Sequence, residues 1–445
     1  MPGSALALEV VQFLRLRGHK AYLVGGCVRD RLLGGSPKDY DVATDASPAQ
    51  VLTYYPKSDQ VGANFGVVLI SDGARNQVEV ATFRSDDDYR DGRRPERVKF
   101  ESDPRQDALR RDFTINALFE DPFSGEVLDY VGGQRDLEDR IIRAIGDPER
   151  RFREDHLRLL RAVRFAARLD FEIEPATFEA MRKLAPLAAD VAAERTRVEL
   201  VRILTEGHPR RGMELLDRTG LLVIVLPEVA ALKGVEQPPE YHPEGDVWVH
   251  TLMMLDLLEH PSATLAMGVL LHDVGKPATF RIAERIRFDG HAEKGVEIAA
   301  GILERLRYSR EDSEQILALI ANHMRFKDIR QMRQSTLKRF LRLPEFAEHL
   351  ELHRIDCMAS HGGLDCWRFA RKSMDTVPEA ELRPPRLLTG RDLIDEGYKP
   401  GPAFGRALEE VETAQLEGTV RNKEEALAVA RKTLEPETLE SKSEP

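Results

Sequence analysis

The sequence predicts an α+β fold in which a mixed head of strands and helices is followed by all-α domains. At 445 residues the chain is too long for one hydrophobic core, so two to four domains are expected. Short strand and helix patterns alternate through residues 1–145, whereas the apolar periodicity is helical over about 151–232 and again over 247–374. The sheet should therefore lie mainly in the N-terminal part.

The elements of the head follow from short local patterns. Apolar residues at helical spacing (Leu6, Val10, Val11 and Leu14) after an N-cap at Ser4 predict an amphipathic N-terminal helix. The patterns that follow predict a strand in AYLVGG, a short helix in VRDRLLG, a strand in DYDVAT, a helix that opens at Ser47-Pro48, paired strands in VVLIS and QVEVATF, and a helix that contains RRDFTINALF.

Two proline-rich breaks, 233–245 and 377–386, indicate domain boundaries. The prediction is a head over 1–145, a helical neck and body over 146–235, a further helical domain over 236–375 and a helical tail over 376–445.

The composition is that of a globular protein. Hydrophobic residues make up 42% and charged residues 32% of the chain, and no apolar run approaches the roughly 20 residues that a membrane span needs. The N-terminus lacks the basic start and the small-residue cleavage site of a signal peptide, and the three cysteines show no metal-type spacing. We expect a cytoplasmic protein with no membrane partner.

The net charge of −11 disfavours non-specific RNA binding, yet the arginines are clustered. Seven lie between 150 and 168, and a second group lies between 195 and 211. An acidic protein with such a basic stripe can bind a polyanion in one place.

A Gly-Gly turn follows the first predicted strand and leads into a helix. At Gly25 and Gly26 the missing Cβ lets backbone N–H groups approach phosphate oxygens, and Arg29 is available for the same phosphate. A tight turn with no ligand is the alternative explanation of the glycine pair.

Asp39 and Asp41 are two apart in the next predicted strand, so both carboxylates should point to one face. Carboxylates held so closely repel each other, and a divalent cation removes the repulsion. Oxygen ligands suit Mg²⁺, which takes phosphate oxygens as further ligands. The alternative is a pair of solvated edge-strand residues, but the glycine turn and Arg29 nearby favour the metal.

Two more polar groups lie on segments predicted to be helical. The polar residues of the first segment are Arg110, Arg111, Asp112 and Asn116. A solvated helix start is the alternative for this group. In the second segment Asp155 and Arg158 are three apart, which is typical of a weak surface salt bridge. The same pair could offer one acceptor and several planar donors to a nucleobase edge.

These motifs, taken in order, resemble the series found in class II (bacterial-type) tRNA nucleotidyltransferases, the family of CCA-adding enzymes and bacterial poly(A) polymerases. The series comprises LVGGCVRDRLLG, DYDVAT, EVATFR, RRDFTINA, DYVGG, EDHLRLLRAVRFAARL and ERTRVEL, and it covers about the first 200 residues. The resemblance implies a polymerase-β-like palm in which Asp39 and Asp41 hold catalytic Mg²⁺. Glu79 is a further carboxylate that it places near the site.

The resemblance also implies which residues bind the nucleotide. The implied set is Gly25, Gly26, Arg29, Arg110, Arg111, Asp112, Asn116, Asp155, Arg158, Arg161 and Arg164. Asp155 and Arg158 would read the base edge, while Glu194 and Arg195 would brace neighbouring helices. The implied reaction is attack of the tRNA 3′-hydroxyl on the α-phosphate of CTP or ATP, which releases pyrophosphate.

Within this family the sequence separates some members and not others. Poly(A) polymerases carry a basic pair where this chain has 62–65 (GANF), so that identity is disfavoured. Enzymes that add only C lack the segment present here at 84–100, so use of ATP is expected. A specialist that adds only A would look much the same as a full CCA-adding enzyme, and both stay open.

A second constellation lies in the helical region after 247. Its members are His250, His272, Asp273, His291, His323 and Asp356. Single histidines of this kind are most often core or surface residues with a satisfied hydrogen bond, but imidazole and carboxylate ligands together suit a divalent metal. The order resembles the HD superfamily of metal-dependent phosphohydrolases.

The HD resemblance implies that His250, His272, Asp273 and Asp356 are metal ligands. His291 and His323 would be additional histidines of the site, and Lys276 would be a phosphate contact. The identity of the metal is left open. The implied substrates are 2′,3′-cyclic or terminal phosphates on damaged tRNA ends, and the alternative is a helical domain that keeps the site for folding only.

Two other classes of function compete with this interpretation. Alarmone synthetase-hydrolases also join an HD domain to a nucleotidyl-handling domain, but their hydrolase comes first and their transfer site lacks the glycine, aspartate and RRD series. A non-catalytic RNA-binding protein could keep the fold, but Asp39 and Asp41 are intact.

Overall fold

The computed structural model describes residues 2–60, 66–73, 76–89, 95–240 and 242–440. Within it the chain divides into two compact units. The first unit comprises 1–231 with 259–266 and 301–308, and the second comprises 232–258, 267–300 and 309–445. Residues 62–65, where the sequence disfavours a poly(A) polymerase, lie outside the described residues.

The strands, in chain order, are β1 Ala21–Val24, β2 Asp41–Thr44, β3 Asp59–Gln60, β4 Val67–Ser71, β5 Gln77–Thr82, β6 Arg84–Tyr89, β7 Pro95–Phe100, β8 Leu118–Glu120, β9 Val127–Asp129, β10 Ile141–Ile142, β11 Glu172–Ile173, β12 Arg281–Ile282 and β13 Ile286–Arg287.

Seven of the described strands form one mixed sheet in the order β3-β4-β5-β2-β1-β8-β9. Strands β2 and β5 run parallel, and the other neighbours are antiparallel. Along β5 Val78 and Val80 are buried, whereas Gln77 and Glu79 are exposed, as the two-residue period of a strand requires. The sheet confirms the predicted α+β head.

Five helices accompany this sheet in the described part of the head. They are α1 Pro2–Leu16, α2 Gly26–Leu32, α3 Pro48–Tyr54, α4 Pro104–Leu109 and α5 Gly133–Glu138. Helix α1 buries Val10, Val11 and Leu14 completely, but it begins before Ser4, so the expected cap at Ser4 is wrong. The start of α3 is as predicted, because Ser47 and Gln50 cap each other reciprocally.

The predicted helix through RRDFTINALF is wrong. Helix α4 ends at Leu109, and after an extended Phe113 the segment makes one 3-10 turn, Thr114–Asn116, before β8. The Thr114 N–H donates to the Arg143 carbonyl at 3.0 Å, and Phe119 pairs with Val24 of β1. Pairing to distant strands therefore overrides the helical appearance of the segment.

The polar stretch before α4 also contains structure that the sequence pattern does not predict. Strands β6 and β7 pair antiparallel in a separate two-stranded sheet, in which Arg84 is opposite Phe100.

After the head, the first unit continues as helices. They are α6 Pro148–Glu154, α7 Leu157–Leu169, α8 Pro175–Leu184, α9 Ala193–Thr205, α10 Pro209–Arg218, α11 Leu222–Val225 and α12 Pro227–Ala230. The expectation that Asp155 and Arg158 share one helix is wrong. Asp155 has an extended backbone between α6 and α7, where its carboxylate accepts the Leu157 N–H at 3.1 Å.

The remaining helices are α13 Val247–Asp256, α14 Ala263–Leu271, α15 Lys276–Thr279, α16 His291–Arg305, α17 Arg310–Asn322, α18 Gln334–Leu341, α19 Phe346–Ala359, α20 Asp365–Thr376, α21 Glu379–Leu382, α22 Gly390–Asp395, α23 Pro402–Leu416 and α24 Lys423–Glu440. The all-α character predicted for this region is confirmed, apart from the short β12–β13 hairpin. Over the described ranges, none of the helices combines the length and the apolarity that a bilayer crossing requires.

Candidate active site and metal cluster

Three carboxylates gather at one edge of the mixed sheet. Asp41 is the first residue of β2, and parallel pairing sets it opposite Glu79 of β5. Asp39 lies two residues before β2, in an exposed loop and not in the strand as predicted. Because paired residues of neighbouring strands point to the same face, Asp41 and Glu79 lie side by side.

The electrostatics of this edge suit a cation. Burial, together with the charges of Glu79 and Asp39, raises the pKa of Asp41 to about 6, against the opposing charge of Arg111. Among the described residues, the carboxylate oxygens of these three acids do not all lie within 4.8 Å of one another. Such an open set fits Mg²⁺, which keeps several waters and phosphate oxygens as ligands.

A network of hydrogen-bonded polar side chains lies next to the Gly-Gly turn. Gly25 has a positive φ of 76°, and a Cβ there would lie 3.3 Å from Nη1 of Arg111. Arg111 in turn donates to the backbone carbonyl of Asn116 at 3.3 Å. The side-chain oxygen of Asn116 accepts a 2.6 Å hydrogen bond from Arg29, which is only 2% exposed.

One buried carboxylate holds both arginines of the RRD motif. Asp107 accepts hydrogen bonds from Arg110 at 2.6 Å and from Arg111 at 2.9 Å, and its side chain is 1% exposed. Burial raises the pKa of Asp107, but the two guanidinium groups outweigh burial and lower it overall. The arginines are therefore fixed in direction from behind.

Asp112 links this network to helix α7. Its carboxylate accepts from Arg161 at 2.8 and 2.5 Å and from the Asn116 amide at 3.2 Å. Although burial raises the pKa of Asp112, the Arg161 guanidinium lowers it well below its ordinary value. The chain of contacts from Gly25 to Arg161 thus joins the sheet to the helical body.

The two residues predicted to read the base each have a protein partner. The Asp155 carboxylate accepts from Arg195 at 3.1 and 2.9 Å. Arg158 is 8% exposed and donates to Glu154 at 2.9 Å and to the carbonyl of Arg110 at 3.1 Å.

Arg164 faces the interior of the helical body. Its guanidinium lies 3.1 Å from the carboxylate of Glu199 in α9, outside hydrogen-bond angles, and both side chains are 4% exposed. Burial lowers the pKa of Arg164 to about 10, against the attraction of Glu199. This arginine supports α7 and does not line an open surface.

The second constellation converges as predicted. His250 Nε2 lies 3.2 Å from Asp356, and His272 Nε2 lies 3.0 Å from Asp273, both outside hydrogen-bond angles. The rings of His250 and His272 are 5.5 Å apart. These residues come from α13, α19 and the turn after α14, so only the fold brings them together.

His291 and His323 complete the cluster. Their Nε2 atoms are 3.2 Å apart, and they lie 3.6 and 3.9 Å from Asp273. Burial and the neighbouring His272 lower the pKa of His323 to about 4, so its ring is neutral near pH 7. Lys276 donates to Asp273 and to Gln237, each at 2.6 Å, and is 6% exposed, so it balances the charge of Asp273.

The donor set of this cluster fits a divalent metal ion. His250 Nε2 and His272 Nε2 are buried atoms with no hydrogen-bond partner within the described residues. Burial lowers the pKa of His250, but the close carboxylate of Asp356 and the hydrogen bond to Glu244 raise it overall to about 9. Three sets of close ligand atoms occur there: His242 with Glu244 and His250, His250 with His272 and Asp273, and Asp273 with His291 and His323.

Four protein-family models match successive parts of the chain. A poly(A) polymerase head domain matches 21–143, and a probable RNA- and SrmB-binding site of polymerase A matches 170–233. An HD domain matches 246–355, and a second domain of tRNA nucleotidyltransferases matches 384–430.

Relatives extend the match to the whole chain. The CCA-adding enzyme of Levilactobacillus brevis is 33% identical over 427 residues, which are 96% of each protein. The chain belongs to the CCA-adding enzyme family. The CCA-adding enzyme of Geobacillus stearothermophilus is 43% identical over 215 residues. That alignment covers 48% of this chain. In it, the chain spans about half of that relative's length (53%).

Membership of the CCA-adding enzyme family is supported by a solved structure. The crystal structure of the Bacillus stearothermophilus CCA-adding enzyme in complex with CTP aligns with a TM-score of 0.74 and 26% identity. The alignment covers 98% of this chain and 99% of that one.

The sequence of this member of the CCA-adding enzyme family did not lead us to three residues that lie in the candidate active site or in the His-Asp cluster. Asp107 was available from its spacing, since it precedes Arg110 and Arg111 by three and four residues. His242 and Glu244 lie in the segment interpreted as a linker, and no local pattern indicates their contact with His250.

Proposed function

We propose that this protein adds CCA to the 3′ end of tRNA without a nucleic-acid template, using CTP and ATP. The observation that carries the proposal is the pair of Asp41 and Glu79 at the sheet edge, within electrostatic reach of Arg111. Arg111 lies next to the Gly25 turn, where a Cβ would be 3.3 Å from its Nη1, so a cation site and a phosphate site adjoin. The names of the relatives in the family support the same reaction.

In the proposed reaction the tRNA 3′-hydroxyl attacks the α-phosphate in line and pyrophosphate leaves. Asp39 and Asp41 would hold Mg²⁺, with Glu79 as a nearby third carboxylate. When bound, Mg²⁺ supplies charge neutralisation at the attacking and leaving oxygens. Because the pKa of Asp41 is raised to about 6, this carboxylate is partly protonated near pH 6 when no metal is bound. A proton and the metal ion therefore compete for it.

The chain's own groups position the triphosphate. Gly25 and Gly26 leave room for phosphate oxygens at the turn, because neither has a Cβ. Arg29, Arg110 and Arg111 supply cationic donors. Each is already oriented by a hydrogen bond from behind, so little side-chain freedom is lost on binding.

Base selection is proposed for Asp155 and Arg158, with Arg161 and Arg164 supporting them from α7. In this structure Arg195 engages Asp155 and Glu154 engages Arg158. A nucleobase therefore has to exchange partners with the protein before it is read. A base that offers both a donor and an acceptor in the right places compensates for both broken bonds.

We propose four domains with these tasks: a catalytic head over 1–145, a nucleotide-selecting and tRNA-binding body over 146–235, an HD domain over 236–375 and a helical tail over 376–445. The arginines of 150–168 and 195–211 give the body the positive charge that a tRNA backbone needs. A cytoplasmic location accompanies this role.

The test uses purified protein, Mg²⁺ and three labelled tRNAs that end before CCA, after C and after CC. Each is incubated with CTP, with ATP and with both. Completion of all three to CCA supports the proposal. Extension of only the CC-ended tRNA by one A identifies the A-adding specialist, and long A tails on unrelated RNA identify a poly(A) polymerase.

The metal assignment is tested with Asp41→Asn against Asp139→Asn. Both changes remove one carboxylate from the first unit, but Asp139 is an exposed residue next to the end of α5. Asp41→Asn should abolish addition and leave tRNA binding in place, whereas Asp139→Asn should behave as wild type. Addition by Asp41→Asn at the wild-type rate would contradict the assignment.

A second activity is proposed for the His-Asp cluster: hydrolysis of 2′,3′-cyclic or terminal phosphates at tRNA ends by a bound divalent metal. The buried Nε2 atoms of His250 and His272 that lack hydrogen-bond partners favour it. The assay offers tRNA with a cyclic phosphate end to metal-free protein restored with Mg²⁺, Mn²⁺, Co²⁺ or Ni²⁺. Activity that disappears in His272→Ala and persists in Asp41→Asn supports the proposal, and turnover by neither wild type nor variant leaves a folding role.

A further inference from the structure

The loop before α13 brings a carboxylate to the rear of His250. Glu244 Oε1 lies 2.7 Å from Nδ1 of His250, the ring atom opposite the one that faces Asp356. Its side chain is 4% exposed, and that of His250 is completely buried. A carboxylate can only accept, so the bond requires the proton of the imidazole to be on Nδ1. In the neutral ring, a proton on Nδ1 leaves the Nε2 lone pair available to a ligand.

Glu244 is itself held in place. The same Oε1 accepts from Nδ1 of His242 at 2.8 Å. Two residues on, Asp246 caps α13 through the Val249 N–H at 2.8 Å and ties back to the Gly234 N–H at 2.6 Å. The Glu244 carboxylate is therefore held by the His242 imidazole. The loop that carries Glu244 is anchored to α13 through Asp246.

Two roles are open to the group of His242, Glu244 and His250. In one, the three bind a second ion. That role would require His250 to use Nδ1 for one ion and Nε2 for another, as a bridging imidazolate. In the other, Glu244 accepts the Nδ1 proton and orients the ring, which is the common arrangement behind a metal-bound histidine. The direct 2.7 Å bond favours the second role.

We propose that Glu244 is a positioning residue that fixes the tautomer and the ring plane of His250, so that Nε2 is presented to a divalent cation together with His272, Asp273 and Asp356. The proposal rests on the metal site proposed above. Loss of such a carboxylate lowers metal affinity by roughly 10- to 100-fold in comparable sites.

The test titrates Co²⁺ into the full chain and follows its visible absorption, which reports histidine ligation without turnover. The full chain carries Asp41→Asn throughout to weaken the transferase site. Glu244→Ala should lower Co²⁺ affinity roughly 10- to 100-fold, and Glu244→Gln, which keeps an acceptor oxygen, should lose less. His260→Asn, a change at an exposed histidine outside the cluster, is the control and should bind as wild type.

The outcomes separate this proposal from the one on which it rests. Unchanged binding by Glu244→Ala, with the melting temperature in EDTA also unchanged, would overturn the positioning role. Two bound ions, of which one disappears in His242→Asn, would overturn it in favour of a second site. If His250→Ala also binds Co²⁺ as wild type, the metal site itself is misassigned.

Discussion

Replacement of His349 by Leu should make the protein less sensitive to acid. His349 lies in α19 and is 1% exposed, and neither ring nitrogen has a hydrogen-bond partner among the described residues. Burial lowers its pKa to about 4, a net value that includes the opposing charge of Glu348 and the smaller lowering effect of Arg325. The folded state therefore excludes a proton that the unfolded chain, with a histidine pKa of about 6.5, takes up readily.

The size of the effect follows from these two values. A histidine whose folded pKa is depressed contributes stability that is complete above about pH 6.5 and is lost as the pH falls toward 4. For a pKa of about 4 against about 6.5, the loss at pH 5 is on the order of 2 kcal/mol. In the leucine variant this loss is absent, and removal of an unsatisfied buried polar ring should leave the protein at least as stable at pH 7.5.

Urea unfolding followed by circular dichroism, in EDTA at pH 7.5 and pH 5.0, measures the difference. The wild type should lose about 2 kcal/mol more than His349→Leu between the two pH values. His208→Gln, a change at an exposed histidine, is the control and should behave as wild type. Equal acid sensitivity in the wild type and His349→Leu would refute the assignment of a neutral, buried ring.

Three further predictions concern the proposed nucleotide site. Gly25→Ala should raise the KM for CTP and ATP about tenfold, because a φ of 76° with a ψ of −128° costs a residue with a Cβ about 1–3 kcal/mol and the methyl group would crowd Arg111; steady-state kinetics that match wild type would contradict this. Asp107→Asn should also raise both KM values about tenfold by loosening the arginines, with kcat affected less. Arg195→Ala should release Asp155 and increase misincorporation of UTP and GTP, and a primer-extension assay with single nucleotides would show unchanged selectivity if the contact is irrelevant.

The strands of the head were largely predictable because their apolar alternation is local. The boundary of β2 was not, since Asp39 precedes the strand, and the face shared by Asp41 is completed by Glu79 from another strand. The turn at Thr114–Asn116 was mistaken for a helix because its hydrogen bonds run to Arg143 and to β1, which no local pattern contains.

The contacts that support the second cluster were also not predictable from the sequence. The resemblance to the HD superfamily was enough to predict which residues converge, but not what supports them. Glu244 lies in a proline-containing segment whose composition indicates a linker, and only the fold sets it behind His250. Likewise, Asp155 pairs with Arg195 and Arg158 pairs with Glu154, and not with each other as their three-residue spacing suggested.

The parallel pairing of β2 with β5 has a consequence for how the sheet assembles. Glu79 alternates with Val78 and Val80, so a slip of one residue would bury its charge and expose two valines. The carboxylates of the proposed reaction thus also destabilise any pairing of β2 with β5 that is shifted by an odd number of residues. Nucleotide transfer by a molecule of this protein would therefore require that its strands β2 and β5 are paired in the correct register.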